Sequence, residues 1–116
     1  MEKLLMDYKY LKIDYSKLKE SLGDNPFHFT TPSPIQVTSD DVLFALVSCQ
    51  YGKISEKELV QWADVIRLSN LYEYSDNVKE QEKIASVIDR IQDIQVFNKP
   101  ISNDELEKLI ALIQDK

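Results

Sequence analysis

Only two glycines, Gly23 and Gly52, occur among the 116 residues, and that scarcity constrains the fold more than any other feature of the chain. Hairpins, bulges and phosphate-cradling loops draw on residues that enter positive φ without steric cost, which is glycine's particular capacity. Helices need few. Both glycines also stand directly after apolar stripes, where a helix C-terminal cap would place them. The expected fold class is all-α: a single compact bundle of about five helices, with a proline-containing loop after the first.

Leu4, Tyr8, Leu11, Tyr15, Leu18 and Leu22 recur at spacings of three and four. This predicts one amphipathic helix over residues 2–22 of an N-terminal unit 1–23, although the alternation from Tyr8 to Tyr15 leaves room for a break. Residues 24–37 carry Pro26, Pro32, Pro34, Phe27, Phe29 and the only histidine, His28. Proline lacks an amide donor and pushes the preceding residue out of helical geometry, so the segment reads as a loop strapped across the core by its aromatics.

Residues 38–116 read as the helical core of the same domain. Thr38 or Ser39 can cap a helix whose first turn holds Asp40 and Asp41, and Val42, Ala45, Leu46 and Cys49 form its inner stripe. Ser55 with Glu58, preceded by Ile54, is a capping box, and Leu59, Ala63 and Ile66 follow on one face with Trp62 beside them. Helical signals weaken over Ser69 to Asp76 and recover through Ile84, Val87, Ile88 and Ile91. Ser102 with Glu105 repeats the box, and Leu106, Leu109, Ile110 and Ile113 supply the last stripe.

Catalytic chemistry finds little support. Triads need an imidazole positioned among partners, and His28 is alone between two phenylalanines. One cysteine and one histidine are too few for a Cys/His metal site, and no loop has calcium-binding spacing. With no phosphate loop either, no cofactor is expected. Cys49 cannot form an internal disulfide, and no run approaches the ~20 apolar residues of a membrane span. A cytoplasmic protein without membrane contact is the expectation.

Fourteen basic against twenty acidic residues give a formal charge of −6. Nucleic-acid affinity comes from Lys and Arg neutralising phosphates, so that partner class is disfavoured. The stretch Val42 to Ile66 has the outline of a helix-turn-helix, but its second helix sets Lys57 and Arg67 against Glu56, Glu58 and Asp64 and would be repelled from a groove. A protein partner, basic rather than acidic, fits better. Tyr72, Glu73, Tyr74 and Asp76, with Asp64 and Glu80 close in sequence, are the candidate partner-binding residues, because tyrosine buries much area at low entropy cost while keeping a hydroxyl. The competing reading is that one of the tyrosines plugs the core and the acids are merely solvated.

The run Gly52-Lys53-Ile54-Ser55-Glu56-Lys57-Glu58-Leu59-Val60-Gln61-Trp62-Ala63 resembles a pattern found in small helical bacterial proteins, in which a G-x-I-S turn and E-L-x-x-W-A open a second helix. Several of these are immunity proteins of polymorphic-toxin or contact-inhibition systems. The resemblance implies a cytoplasmic inhibitor that covers a toxin, often a basic nuclease, with acidic side chains standing in for phosphates. An alternative is a regulatory or adaptor subunit, of phage or mobile-element origin, that docks its N-terminal apolar seam on a partner.

Overall fold

Two short strands overturn the all-α expectation. The computed structural model describes residues 2–23, 26–96 and 100–114, and the backbone alone of residues 28, 95 and 96. The His28 imidazole therefore lies outside what is described. In chain order the elements are α1 (Glu2–Lys9), α2 (Tyr15–Leu22), a single 3₁₀ turn (Pro26–His28), β1 (Thr30–Val37), α3 (Ser39–Gln50), α4 (Glu56–Leu68), β2 (Asn70–Tyr74), α5 (Val78–Val96) and α6 (Asn103–Gln114). Six α-helices and a two-stranded parallel sheet thus make a mixed α/β fold among the described residues. The radius of gyration, 13.5 Å, is that of one compact domain of this length, about 13 Å for 100 residues.

The expected proline loop is in large part β1, and the helically weak stretch after Ser69 is β2. Ile35 pairs with Tyr72, Gln36 with Glu73 and Val37 with Tyr74. Thr30 already stands opposite Asn70, so β1 is irregular between Thr30 and Ile35. Pro32 and Pro34 fall inside that irregularity, which is where a strand tolerates residues that cannot donate to the ladder. Because parallel strands cannot be joined by a tight turn, the α3–α4 hairpin serves as the crossover between them.

The N-terminal stripe divides into two helices rather than forming one. Lys12 N–H bonds to Asp7 O at 2.8 Å and Leu11 N–H to Tyr8 O at 2.9 Å, closing α1 with Leu11 in the left-handed region at φ 61°. A non-glycine residue there costs about 1–2 kcal/mol. Asp14 restarts the helix by accepting Lys17 N–H at 2.8 Å, and Gly23, at φ 75°, ends it.

The hydroxyl caps form much as their spacing predicts. Thr38 caps α3 in a box with Asp41, and Ser55 caps α4 in a box with Glu58. At α6, Ser102 accepts Glu105 N–H at 3.1 Å, but the Glu105 carboxylate turns to Arg90 at 2.7 Å instead of closing the box. Ile101 N–H is held across the molecule by Glu56 at 3.0 Å. Trp62, fully buried on α4, sits in a core with Leu46, Leu59, Ile66, Leu71, Ile84, Ile88 and Ile91.

The helical seam of the N-terminus is spent on this core. Tyr8 and Leu18 are buried, and Leu4, Leu11, Tyr15 and Leu22 pack partly buried against it. Three polar contacts fasten α1: Trp62 Nε1 donates to Lys9 O at 3.1 Å, Tyr72 Oη donates to Leu5 O at 2.6 Å, and Lys9 Nζ lies 3.1 Å from Asp41 Oδ2. No helix of the described residues is long and apolar enough to cross a membrane.

Candidate functional site

The strand β2 decides which of the six candidate residues face outward. Pleating puts neighbours on opposite faces, and here Leu71 and Tyr72 are both buried while Glu73 is exposed and Tyr74 half-buried. Tyr72 is 5% exposed and its hydroxyl is occupied by Leu5 O, so it belongs to the core and not to a partner surface. Burial, reinforced by Tyr8, pushes its phenol well above the ordinary range, which keeps it a donor. Tyr72→Phe leaves the Leu5 carbonyl without its buried donor and should cost about 1–3 kcal/mol in urea denaturation. A change within experimental error would show that this bond does not hold α1.

The remaining residues separate into two groups. Glu73, Tyr74, Asp76 and Glu80 cluster at the end of the sheet and the start of α5. Asp76 accepts from Gln36 Nε2 at 3.2 Å, which ties the turn after β2 to β1. Glu80 accepts Ser39 N–H at 2.7 Å, satisfying a free amide of the first turn of α3. Its own amide bonds Asn77 Oδ1 at 3.0 Å. These contacts hold two of the carboxylates in place while Glu73 and Asp76 stay exposed.

Asp64 belongs elsewhere. On α4 it accepts Gln92 Nε2 from α5 at 2.8 Å, and Gln92 in turn accepts from Arg67, which pairs with Asp89 at 3.0 Å. Tyr74 feels this network: burial raises its phenol, Arg67 opposes the rise, and Asp89 adds to it. The bridge is structural, and Asp64 contributes to the acidic surface only through its field.

A feature that the spacing of residues did not reveal lies beside the first turns of α4. The loop from Leu11 to Tyr15 and the turn at Lys53 and Ile54 enclose a cleft of about 140 Å³, with Tyr8, Glu58 and Gln61 also in its lining. The stripe itself held the one available signal, since it uses tyrosine at Tyr8 and Tyr15 where leucine would pack as well.

Cys49 is half-buried, and burial together with Glu56 and Glu58 pushes its thiol up, so it stays protonated and poorly nucleophilic. Among the described residues no group of three or more His, Cys, Asp or Glu side chains is placed to hold a metal ion. No protein-family model, curated protein or solved structure shows significant similarity to the chain. The likeness of residues 52–63 to immunity proteins thus stands on those residues alone.

Proposed function

We propose that this chain is a non-catalytic binding protein of the immunity type, which neutralises a cognate bacterial toxin by covering a basic surface of it. The observation that carries the reading is the exposed pair Glu73 and Asp76 beside half-buried Tyr74, with Asp76 tied to β1 through Gln36 and neighbouring Glu80 tied to α3 through Ser39. An acceptor held in place, as Asp76 is, loses little freedom on binding, and a net charge of −6 draws a basic partner toward the patch. The adaptor alternative needs an apolar seam to offer, and Tyr8 and Leu18 of that seam are already buried within this chain.

The test joins function to charge. Glu73→Lys with Asp76→Lys is expected to weaken binding to the toxin domain encoded immediately upstream by about a hundredfold, chiefly through the association rate, and to abolish protection of cells expressing it. Melting should change little, because both side chains are exposed and the one hydrogen bond lost, from Gln36 to Asp76, is exposed too. Affinity of the unaltered protein should fall steadily from low to high ionic strength. Undiminished protection by the double variant would refute the patch, and a genome with no toxin gene beside this one would refute the immunity reading.

A further inference from the structure

The buried tyrosine Tyr8 is 2% exposed and forms no hydrogen bond through its hydroxyl among the described residues. No buried side-chain polar atom of the described residues lacks a partner, so this hydroxyl meets the cleft rather than packed interior. A phenol oxygen that reaches a small opening with no protein partner there is free to exchange water for an incoming polar group.

We propose that the cleft between the α1–α2 loop and the α3–α4 turn receives an arginine side chain from a protein partner. The proposal deepens the binding reading above and rests on it for the basic character of that partner. At about 140 Å³ the cleft is well short of the ~300 Å³ at which ligand pockets begin, so a single side chain is the guest it can hold. Its chemistry selects a cation. Asp14 and Glu58 stand in the lining, each with one carboxylate oxygen engaged in a helix cap. A carboxylate offers about four acceptor positions, which leaves room for a charged donor.

The field at Tyr8 agrees with this choice. Burial raises its phenol first, and Tyr15, Asp64, Asp14 and Glu58 all act in the same direction, so the surroundings of that oxygen are negative. Lys12 and Lys53 also belong to the lining and are exposed, so they oppose an incoming cation from the solvent side. Arginine suits the site better than lysine, because its planar, weakly hydrated guanidinium can lie against the half-buried Tyr15 ring while its fork reaches the carboxylates. The strained Leu11 turn gives the cleft its wall, in keeping with strain being retained where a site requires it.

The experiment titrates the full chain with Nα-acetylarginine amide and follows backbone amide shifts by NMR. Saturable millimolar binding is expected, confined to residues near Tyr8–Tyr15 and Lys53–Gln61. The uncharged citrulline analogue should bind about fivefold more weakly, as should arginine amide to Tyr8→Phe, a variant that loses no internal hydrogen bond and should fold normally. Lys53→Gln should tighten binding about twofold by removing a rim cation. Equal binding of the citrulline analogue, preferential binding of acetate, weaker binding by Lys53→Gln, or no saturable shift would overturn the proposal. This titration needs no toxin. Its failure would leave the Glu73–Asp76 patch untouched, whereas loss of the immunity reading with a positive titration would leave the cleft in place for another basic protein.

Discussion

Lys9→Met is expected to destabilise the protein by about 3–5 kcal/mol, the range for breaking one half of a buried ion pair. Lys9 Nζ lies 3.1 Å from Asp41 Oδ2, and both side chains are 6% exposed. The ammonium also donates to Gln36 O at 3.2 Å and lies 4.8 Å from the centre of the Tyr10 ring. One charge therefore joins α1 to the start of α3 and to β1. Methionine keeps the apolar stem and removes the charge, leaving the Asp41 carboxylate buried with only its Thr38 N–H contact at 2.9 Å. Because domains of this size are stable by about 5–15 kcal/mol, the loss would remove much of the total.

A double-variant cycle separates pairing from desolvation. Lys9→Met with Asp41→Asn should recover a substantial part of the loss, since no unpaired charge is then left inside, while the new side-chain amide retains an oxygen for the capping box. Urea denaturation of the four proteins provides the coupling. The pair should also resist salt, unlike the exposed Arg67–Asp89 pair, whose side chains are 45% and 53% exposed and whose worth is correspondingly small. If Lys9→Met costs less than about 1 kcal/mol, the pair does not stitch the N-terminus to the domain.

Local chemistry is legible in the sequence, and long-range pairing is not. The Ser55–Glu58 box, the Thr38 cap and the two terminal glycines are set by groups within a few residues of one another, and the structure has all of them. The parallel sheet joins Ile35 to Tyr72 across two intervening helices, so no turn residue announces it. Prolines 32 and 34 argue against a strand because their toleration depends on an irregular register that only the partner strand defines. Lys9 and Asp41 each have a sufficient local explanation, as helix-surface polarity and as a dipole-facing acid, and their pairing follows only from the fold. At the acidic patch, the charges of Glu73 and Asp76 suit the exposure they have, whereas Tyr72, a candidate for the partner surface, is the tyrosine that plugs the core and points its hydroxyl back to α1. Beyond the two tyrosines of the stripe, the cleft has no sequence signature, because its two sides, at Leu11–Tyr15 and Lys53–Glu58, meet only after α1 has docked.

That docking depends on Trp62, and Trp62→Ala is expected to cost about 3–5 kcal/mol, as truncation of a fully buried aromatic does. Two losses combine. The ring leaves a void where α4 meets the rest of the core, and Lys9 O at the end of α1 loses its indole donor at 3.1 Å. Trp62→Phe distinguishes them: it retains most of the apolar volume but not the donor, so its cost should fall well below that of Trp62→Ala, and amide exchange should quicken first at Tyr10, Leu11 and Lys12, whose bonds close that helix. Thermal melting should register Trp62→Ala as a fall of many degrees, since roughly 4 °C accompanies each kcal/mol in a domain near this size. A loss below about 2 kcal/mol, or exchange in Trp62→Phe that spreads evenly over the molecule, would mean that α1 is held by its apolar face alone. The turn at Leu11 would then owe its strained shape to something other than the tryptophan beneath it.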